Sequence, residues 1–259
     1  MLDPYMQYSC GYWKNASNLA EAQLHKMELL AQKLKLKPGM SILDLGCGFG
    51  GLAKYLAENY SVSVVGCTIS EEQMKFGKEL CKGLPVEFYL CDYREMKLTK
   101  KFDRVVSVGF MEHVGLYNYR TVYKIAEKAL KPDGLFVLHT MGVNSNCSIE
   151  MNRWLHEHIF PNGWQPKLEY LVEKAEDLFI VEDIHNFGAD YAPTLAQWRK
   201  NFISSWSEIK KNGLYDDRFF RIWVTYLSGS EAFLKSRSVQ VYQIVYSKKG
   251  LLGGYQAPR

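Results

Sequence analysis

Between Ser41 and Thr140 the chain alternates short apolar runs with stretches of helical spacing. The runs Ile42–Leu45, Val62–Cys67, Val86–Asp92, Phe102–Gly109 and Leu135–Thr140 are four to eight residues long, the length and character of strands buried on both faces. Amphipathic segments lie between them, over 51–59, after an N-cap at Ser70, and over 119–130 ahead of the turn "KPDG". This rhythm predicts a parallel sheet covered by helices on both faces. Ahead of it, Ser17 or Asn18 caps a helix running to about Leu36. Leu19, Met27, Leu30 and Leu34 share one of its faces, and Pro38 and Gly39 stop it.

After Met141 the rhythm breaks. Residues 143–175 read as irregular to helical, "LFIVEDIHNF" as a strand, and "TLAQWRKNFISSWSEIKK" as one helix with Leu195, Trp198, Phe202 and Trp206 on a face. "SVQVYQIVYSK" is a strong final strand. There is no internal repeat and no low-complexity linker. The pattern predicts one α/β domain with a mostly parallel, seven-stranded sheet. Residues 1–37 form its N-terminal cap segment, 38–142 its core, and 143–215 an insertion. Residues 216–259 supply a helix and strand that complete the sheet.

Composition changes this picture little. A chain of 259 residues can bury a sizeable core, and 47% apolar with 23% charged residues is ordinary for a globular protein. The net charge of +4 is mild and the lysines are scattered, which excludes a nucleic-acid-binding tail. Six cysteines show no C-x-x-C pair and read as reduced thiols of a cytosolic protein. His156 and His158 form H-x-H without a third ligand, so no metal site is expected. No apolar run approaches the ~18 residues of a membrane span, so any membrane is met from the water side.

Candidate chemistry begins at "SILDLGCGFGGLAKYL", where a strand ends in four glycines within six residues. Gly46, Gly48 and Gly51 satisfy G-x-G-x-x-G, the dinucleotide pattern. Two neighbours oppose that reading. The Asp44 carboxylate would repel a pyrophosphate but suits an ammonium and a sulfonium, and the second strand ends in Thr68 rather than in the acid that usually binds an adenosine ribose. The spacing D-x-G-x-G-x-G, at Asp44, Gly46, Gly48 and Gly50, matches the S-adenosylmethionine loop of Rossmann-like methyltransferases. Asp92, after the third strand, is placed to accept from an adenine amino group.

Seven segments in order ("MQYSCGYW", "DLGCGFGGLA", "VVGCTIS", "VGFMEHVG", "LKPDGLFVLHT", "IFPNG" and "HNFGADY") closely resemble the cyclopropane-fatty-acyl-phospholipid synthases, relatives of the mycolic acid cyclopropane synthases. The likeness covers essentially all of 1–259. It implies methyl transfer from S-adenosylmethionine to a cis double bond of a phospholipid acyl chain, followed by deprotonation and closure of a cyclopropane ring. In such a family Thr68 and Gln73 take over the ribose contacts, and Tyr8 and Ser9 reach the cofactor from the N-terminal cap. The implied base is a bound bicarbonate, held by Cys10, Glu112, His139 and Tyr191 with the backbone of Met141. Residues 143–215 would then wall an acyl channel, with Trp154, Phe160, Trp164, Phe187, Trp198, Phe202 and Trp206 as its apolar lining.

The resemblance further implies a cytoplasmic enzyme, peripheral on the inner face of the membrane, and leaves a homodimer open. Three departures stand out: Met141 replaces the usual Ile, Ser230 replaces a usual Cys, and the chain starts inside the "MLD…YSC" segment. The helical N-terminal domain of full-length bacterial relatives is therefore expected to be absent. Two other functions stay open on the residues. An amine N-methyltransferase could use Glu112 and His113 as its base, and a catalytically silent protein could bind lipid or cofactor alone. Nucleic-acid methylation has no support, since neither an N-P-P-Y segment nor a Pro-Cys nucleophile is present.

Overall fold

The computed structural model describes residues 1–144, 146–148 and 150–259. Helix α1 (Leu19–Lys33) begins with reciprocal caps: Asn18 Oδ1 accepts the Glu21 N–H at 3.0 Å and the Glu21 carboxylate accepts the Ser17 N–H at 2.8 Å. The first satisfies a donor that the first turn leaves without a helical partner, and the second ties the residue before the cap to that turn. Leu19, Met27, Leu30 and Leu34 are buried as the spacing predicts. Gln23, Lys26 and Lys33 are buried with them, which an apolar pattern does not reveal.

The chain continues through β1 (Ser41–Leu45), α2 (Gly51–Tyr60), β2 (Ser63–Thr68), α3 (Glu71–Leu80), β3 (Val86–Leu90) and β4 (Phe102–Val108). Next come α4 (Met111–Val114), α5 (Tyr119–Ala129), β5 (Leu130–Val143), α6 (Arg153–His158), α7 (Leu168–Glu173) and β6 (Ile180–Asn186). Helices α8 (Tyr191–Ser204), α9 (Trp206–Lys211) and α10 (Asp217–Lys235) precede the last strand, β7 (Val239–Ser247). The strands form one sheet in the order β3-β2-β1-β4-β5-β7-β6. Strand β7 runs antiparallel to both neighbours and the other pairings are parallel.

Two elements differ from expectation. Strand β5 starts at Leu130, which pairs with Phe102 before the register slips to Leu135 opposite Arg104. "KPDG" is therefore an irregularity inside a strand rather than a turn before one. The strand also extends to Val143, because β7 pairs with it antiparallel as far as Val143–Val239. The long helix expected over 194–211 starts earlier, at Tyr191, and divides at Ser205. There Ser204 Oγ donates back to the Asn201 carbonyl at 3.0 Å, a side-chain bond that competes with the helical ladder. Pro193 falls in the first turn, where its missing N–H breaks no helical bond.

Alternate residues of the central strands feed opposite layers. Ile42, Val64, Val106 and Val137 pack with Leu30 of α1 and Leu52 and Leu56 of α2. Leu43, Leu45, Val105 and Phe136 face α5 through Val122, Tyr123 and Ala126. A one-residue slip in any of these strands would exchange the layers, so the register is strongly specified. A third cluster packs Trp198 and Phe202 of α8 and Tyr226 and Leu227 of α10 against Val239 and Val241. The order reverses at β1: the chain moves outward to β3 and returns on β1's other side at β4. Loops leaving adjacent β1 and β4 therefore diverge, opening a crevice at their carboxyl ends.

Candidate active site

A cavity of about 640 Å³ occupies this crevice. Grouped by expected role, one half of its lining residues comprises Tyr8, Ser9, Asp44, Gly46 and Gly48, with Thr68, Gln73 and Asp92 from the next two strand ends. The other half of that grouping comprises Cys10, Glu112, His139 and Tyr191, which line the same cavity. Gly50 lies apart from the lining. It caps α2 from a left-handed conformation (φ 79°), where a Cβ would lie 2.6 Å from the Phe88 ring. At Gly46 (φ 79°) a side chain would be strained and its Cβ would sit 2.5 Å from the Phe110 ring, so glycine serves both the turn and the close packing.

In the first half, the Thr68 hydroxyl donates to Gln73 Oε1 at 2.9 Å and accepts the Ser70 N–H at 3.2 Å. With its oxygen so used, Gln73 keeps its amide N–H groups as donors. The Asp92 carboxylate accepts from the Arg94 backbone N–H at 2.9 Å and side chain at 2.6 Å. Arg94 holds the carboxyl below its ordinary range. Asp44 is 2% exposed, and burial pushes its carboxyl up to about 7 against the pull of the Lys26 ammonium.

That shift has a stability consequence. An acid raised in the folded state ionises first in the unfolded chain, so it costs stability progressively as pH rises from about 4 to 7. The Asp44→Asn variant is expected to match the wild type near pH 4 and exceed it by about 4 kcal/mol near pH 7.5. Thermal melts across that range check this, and a difference that does not vary with pH would contradict it.

In the second half, Glu112 is 5% exposed on the short helix α4. Its Oε1 accepts the Met141 N–H at 2.6 Å, while Oε2 is buried without a partner. Burial pushes its carboxyl up, opposed by the Met141 N–H. The Met141 N–H implied for an anion is thus engaged by Glu112 instead. His139 is 2% exposed and burial drives its imidazole well below its ordinary value, so it is neutral. Gln243 Nε2 lies 3.3 Å from His139 Nδ1; with the amide donating, the ring proton is on Nε2. Burial also raises the Cys10 thiol and the Tyr191 hydroxyl well above their usual values, so both keep their protons. The Cys10 thiol donates to the Gly11 carbonyl at 3.2 Å. Apart from the carboxyl of Glu112, this half presents neutral, protonated groups.

Several participants escape sequence reading. Gln243 orients His139 from β7, more than a hundred residues downstream. Tyr226 lines the cavity and shares a 2.8 Å hydrogen bond with the Tyr8 hydroxyl, and Tyr8 packs over Trp198 with ring centroids 5.0 Å apart. Of the seven aromatics expected to wall a channel, Phe160 lines the cavity. Phe187, Trp198 and Phe202 are core residues of the third cluster, with Trp154 and Trp206 packed against it. Trp164 acts through its backbone, donating N–H to the Glu112 carbonyl at 2.8 Å. His156 Nδ1 accepts the Asn162 N–H at 3.1 Å and His158 packs on Trp154, so the H-x-H pair serves local structure.

A mostly parallel seven-stranded sheet with a glycine turn after β1 and its cavity at the reversal point defines the Rossmann-like fold of S-adenosylmethionine methyltransferases. The structure superposes on the cyclopropane synthase MmaA2 from Mycobacterium tuberculosis with a TM-score of 0.88 and 27% identity, covering 95% of this chain and 92% of that one. A mycolic acid cyclopropane synthase solved with SAH and CTAB gives a TM-score of 0.86 at 27% identity, over 95% of this chain and 92% of the other. The chain belongs to the mycolic acid cyclopropane synthetase family, whose model matches residues 1–244. It is 47% identical to the cyclopropane-fatty-acyl-phospholipid synthase of Escherichia coli K12 over its full length, and spans 66% of that relative. The methyltransferase UmaA of Mycobacterium tuberculosis is 32% identical over 95% of this chain and 91% of its own.

Proposed function

We propose that the chain transfers the methyl group of S-adenosylmethionine to a cis double bond of an unsaturated phospholipid acyl chain and closes a cyclopropane ring there. The supporting observation is the joining of two chemically different halves in one cavity. A glycine-loop half with Asp44 joins, in one cavity, a half whose polar groups apart from Glu112 are buried, neutral and protonated. The kinship with a cyclopropane-fatty-acyl-phospholipid synthase supports the same reading.

The first half fits the cofactor. Asp44 and Ser9 would take its amino-acid end, the Thr68–Gln73 pair its ribose, and Asp92 its adenine, with Tyr8 closing over from the cap. Bound there, S-adenosylmethionine supplies an electrophilic methyl. An isolated alkene carries no proton to remove before attack, so these residues need only hold the reactants in line and keep water away. Water would otherwise capture the cation that methylation leaves on the chain.

Ring closure requires a base, and here the second half is informative. Neutral His139 and Tyr191 are poor bases but good donors, the Cys10 thiol is a weaker donor already turned to the Gly11 carbonyl, and Glu112 Oε2 is buried without a partner. This set fits a small oxyanion, which we read as bicarbonate; held there it would supply the general base for deprotonation. Glu112 would anchor the anion and His139 and Tyr191 would orient it.

Among the described residues no helix is long and apolar enough to cross a membrane. The reading has the protein take acyl chains as a peripheral visitor at the cytoplasmic face. Incubation with methyl-labelled S-adenosylmethionine and vesicles of cis-unsaturated or fully saturated phospholipid tests it. The expected product is a gain of one CH2 per modified chain, on the unsaturated lipid alone. Label appearing in an added amine, with no lipid product, would overturn the assignment in favour of N-methylation.

A further inference from the structure

Helix α1 turns a set of buried polar side chains toward the N-terminal segment. Lys26, fully buried, donates from Nζ to Ser9 Oγ at 3.0 Å and to Gln7 Oε1, while Gln23 Nε2 donates to the Ser9 carbonyl at 2.9 Å. Ser9 is thus gripped at both its hydroxyl and its backbone. The hydrogen bonds of Lys26 go to neutral oxygens, and Asp3 and Asp44 act on it through space. A buried ammonium with neutral partners is costly unless something negative completes it.

Direction matters here. An ammonium only donates, so Ser9 Oγ must accept from Lys26, and the hydroxyl's own proton is turned elsewhere. Gln7 is polarised likewise: its Oε1 accepts from Lys26, and its Nε2 donates to the Tyr5 carbonyl at 3.2 Å. Ser9 and Asp44 both line the cavity. Its wall therefore offers a donor backed by a buried cation beside a carboxylate, the pattern complementary to an amino-acid zwitterion.

We propose that Lys26 is a positioning residue that makes Ser9 an obligate donor to the carboxylate of the cofactor's amino-acid end, while Asp44 takes its ammonium. This rests on the cofactor reading above. The pair would then distinguish ligands carrying the full zwitterion from those bearing the amine alone. Burial lowers the Lys26 ammonium to about 8, so it stays charged at neutral pH.

Calorimetric titration with S-adenosylhomocysteine and with its decarboxylated counterpart, for the wild type and Lys26→Met, tests the assignment. The wild type is expected to prefer the carboxylated ligand by roughly 30-fold, the scale of a charge-assisted hydrogen bond. In Lys26→Met the affinity for S-adenosylhomocysteine should fall at least about tenfold and that for the decarboxylated ligand change by less than about threefold. Equal weakening of both ligands would show that Lys26 only holds the segment in place, and an unchanged preference would equally overturn the proposal. Should Lys26→Met fail to fold, Ser9→Ala decides, because it removes the relay but keeps the Lys26–Gln7 bond. Collapse of the preference supports the assignment, and a retained preference overturns it. A wild type that binds neither ligand would instead remove the cofactor reading on which the assignment depends.

Discussion

Glu112→Gln is expected to lower lipid methylation turnover by about a thousandfold while leaving affinity for S-adenosylhomocysteine within about threefold of the wild type. The substitution is isosteric, and a glutamine Oε1 can still accept the Met141 N–H that Glu112 accepts at 2.6 Å. What changes is the second atom. Oε2 is buried without a partner, able to accept as a carboxylate or to donate as an acid. An amide nitrogen in its place can only donate, and it carries neither charge nor a transferable proton. The cavity should keep its shape and lose the group proposed to engage an anion. Because Glu112 is not among the residues assigned to the cofactor, cofactor affinity is the internal control. Turnover within tenfold of the wild type would remove Glu112 from the chemistry. A parallel loss of cofactor affinity would assign it a structural role instead.

Gly51→Ala should destabilise the protein by about 3 kcal/mol, lowering Tm by roughly 6–12 °C, and should weaken S-adenosylhomocysteine binding at least about tenfold. The direction is the informative part. Gly51 is the first residue of α2, where alanine is the better helix former by about 1 kcal/mol. On local propensity alone the variant would be more stable. A Cβ at this position, however, would lie 1.6 Å from the Tyr5 carbonyl oxygen and 2.7 Å from its carbon. Backbone meets backbone there, so no side-chain rotation relieves it. The Tyr5 segment is itself tightly held, since the Asp3 carboxylate accepts the Tyr5 and Gln7 N–H groups, each at 2.8 Å. Displacing it moves Tyr8, Ser9 and Cys10, which line the cavity. Melting and ligand titration of the variant measure both effects. An unchanged or higher Tm would mean that the N-terminal segment does not lie on α2.

The two variants show where sequence reading works and where it stops. Strands and helices were legible because hydrophobic period is local: each run from Ile42 to Thr140 states its own secondary structure, and alternation with helices leaves few sheet topologies. The glycine turn and Asp44 were legible for the same reason, being adjacent in the chain. Cys10, Glu112, His139 and Tyr191 are scattered over most of the sequence. They came together on paper through family resemblance rather than through any pattern among the residues themselves.

What the sequence by itself determined is therefore the sheet, its helices and the loop at the end of β1. Tertiary structure decided which polar residues are inside. Lys26 and Lys33 look like the solvated side of a helix, yet both are fully buried, because their partners Ser9, Gln7, His185 and Asp183 come from distant segments. It also decided that most of the aromatic stripe after Met141 is core, that Gln243 sets the His139 ring, and that Gly51 has no room for a methyl group. Hydropathy belongs to a residue type and can be read one residue at a time. Burial and hydrogen-bond direction belong to pairs, and the pairs exist only once the sheet has brought distant residues together.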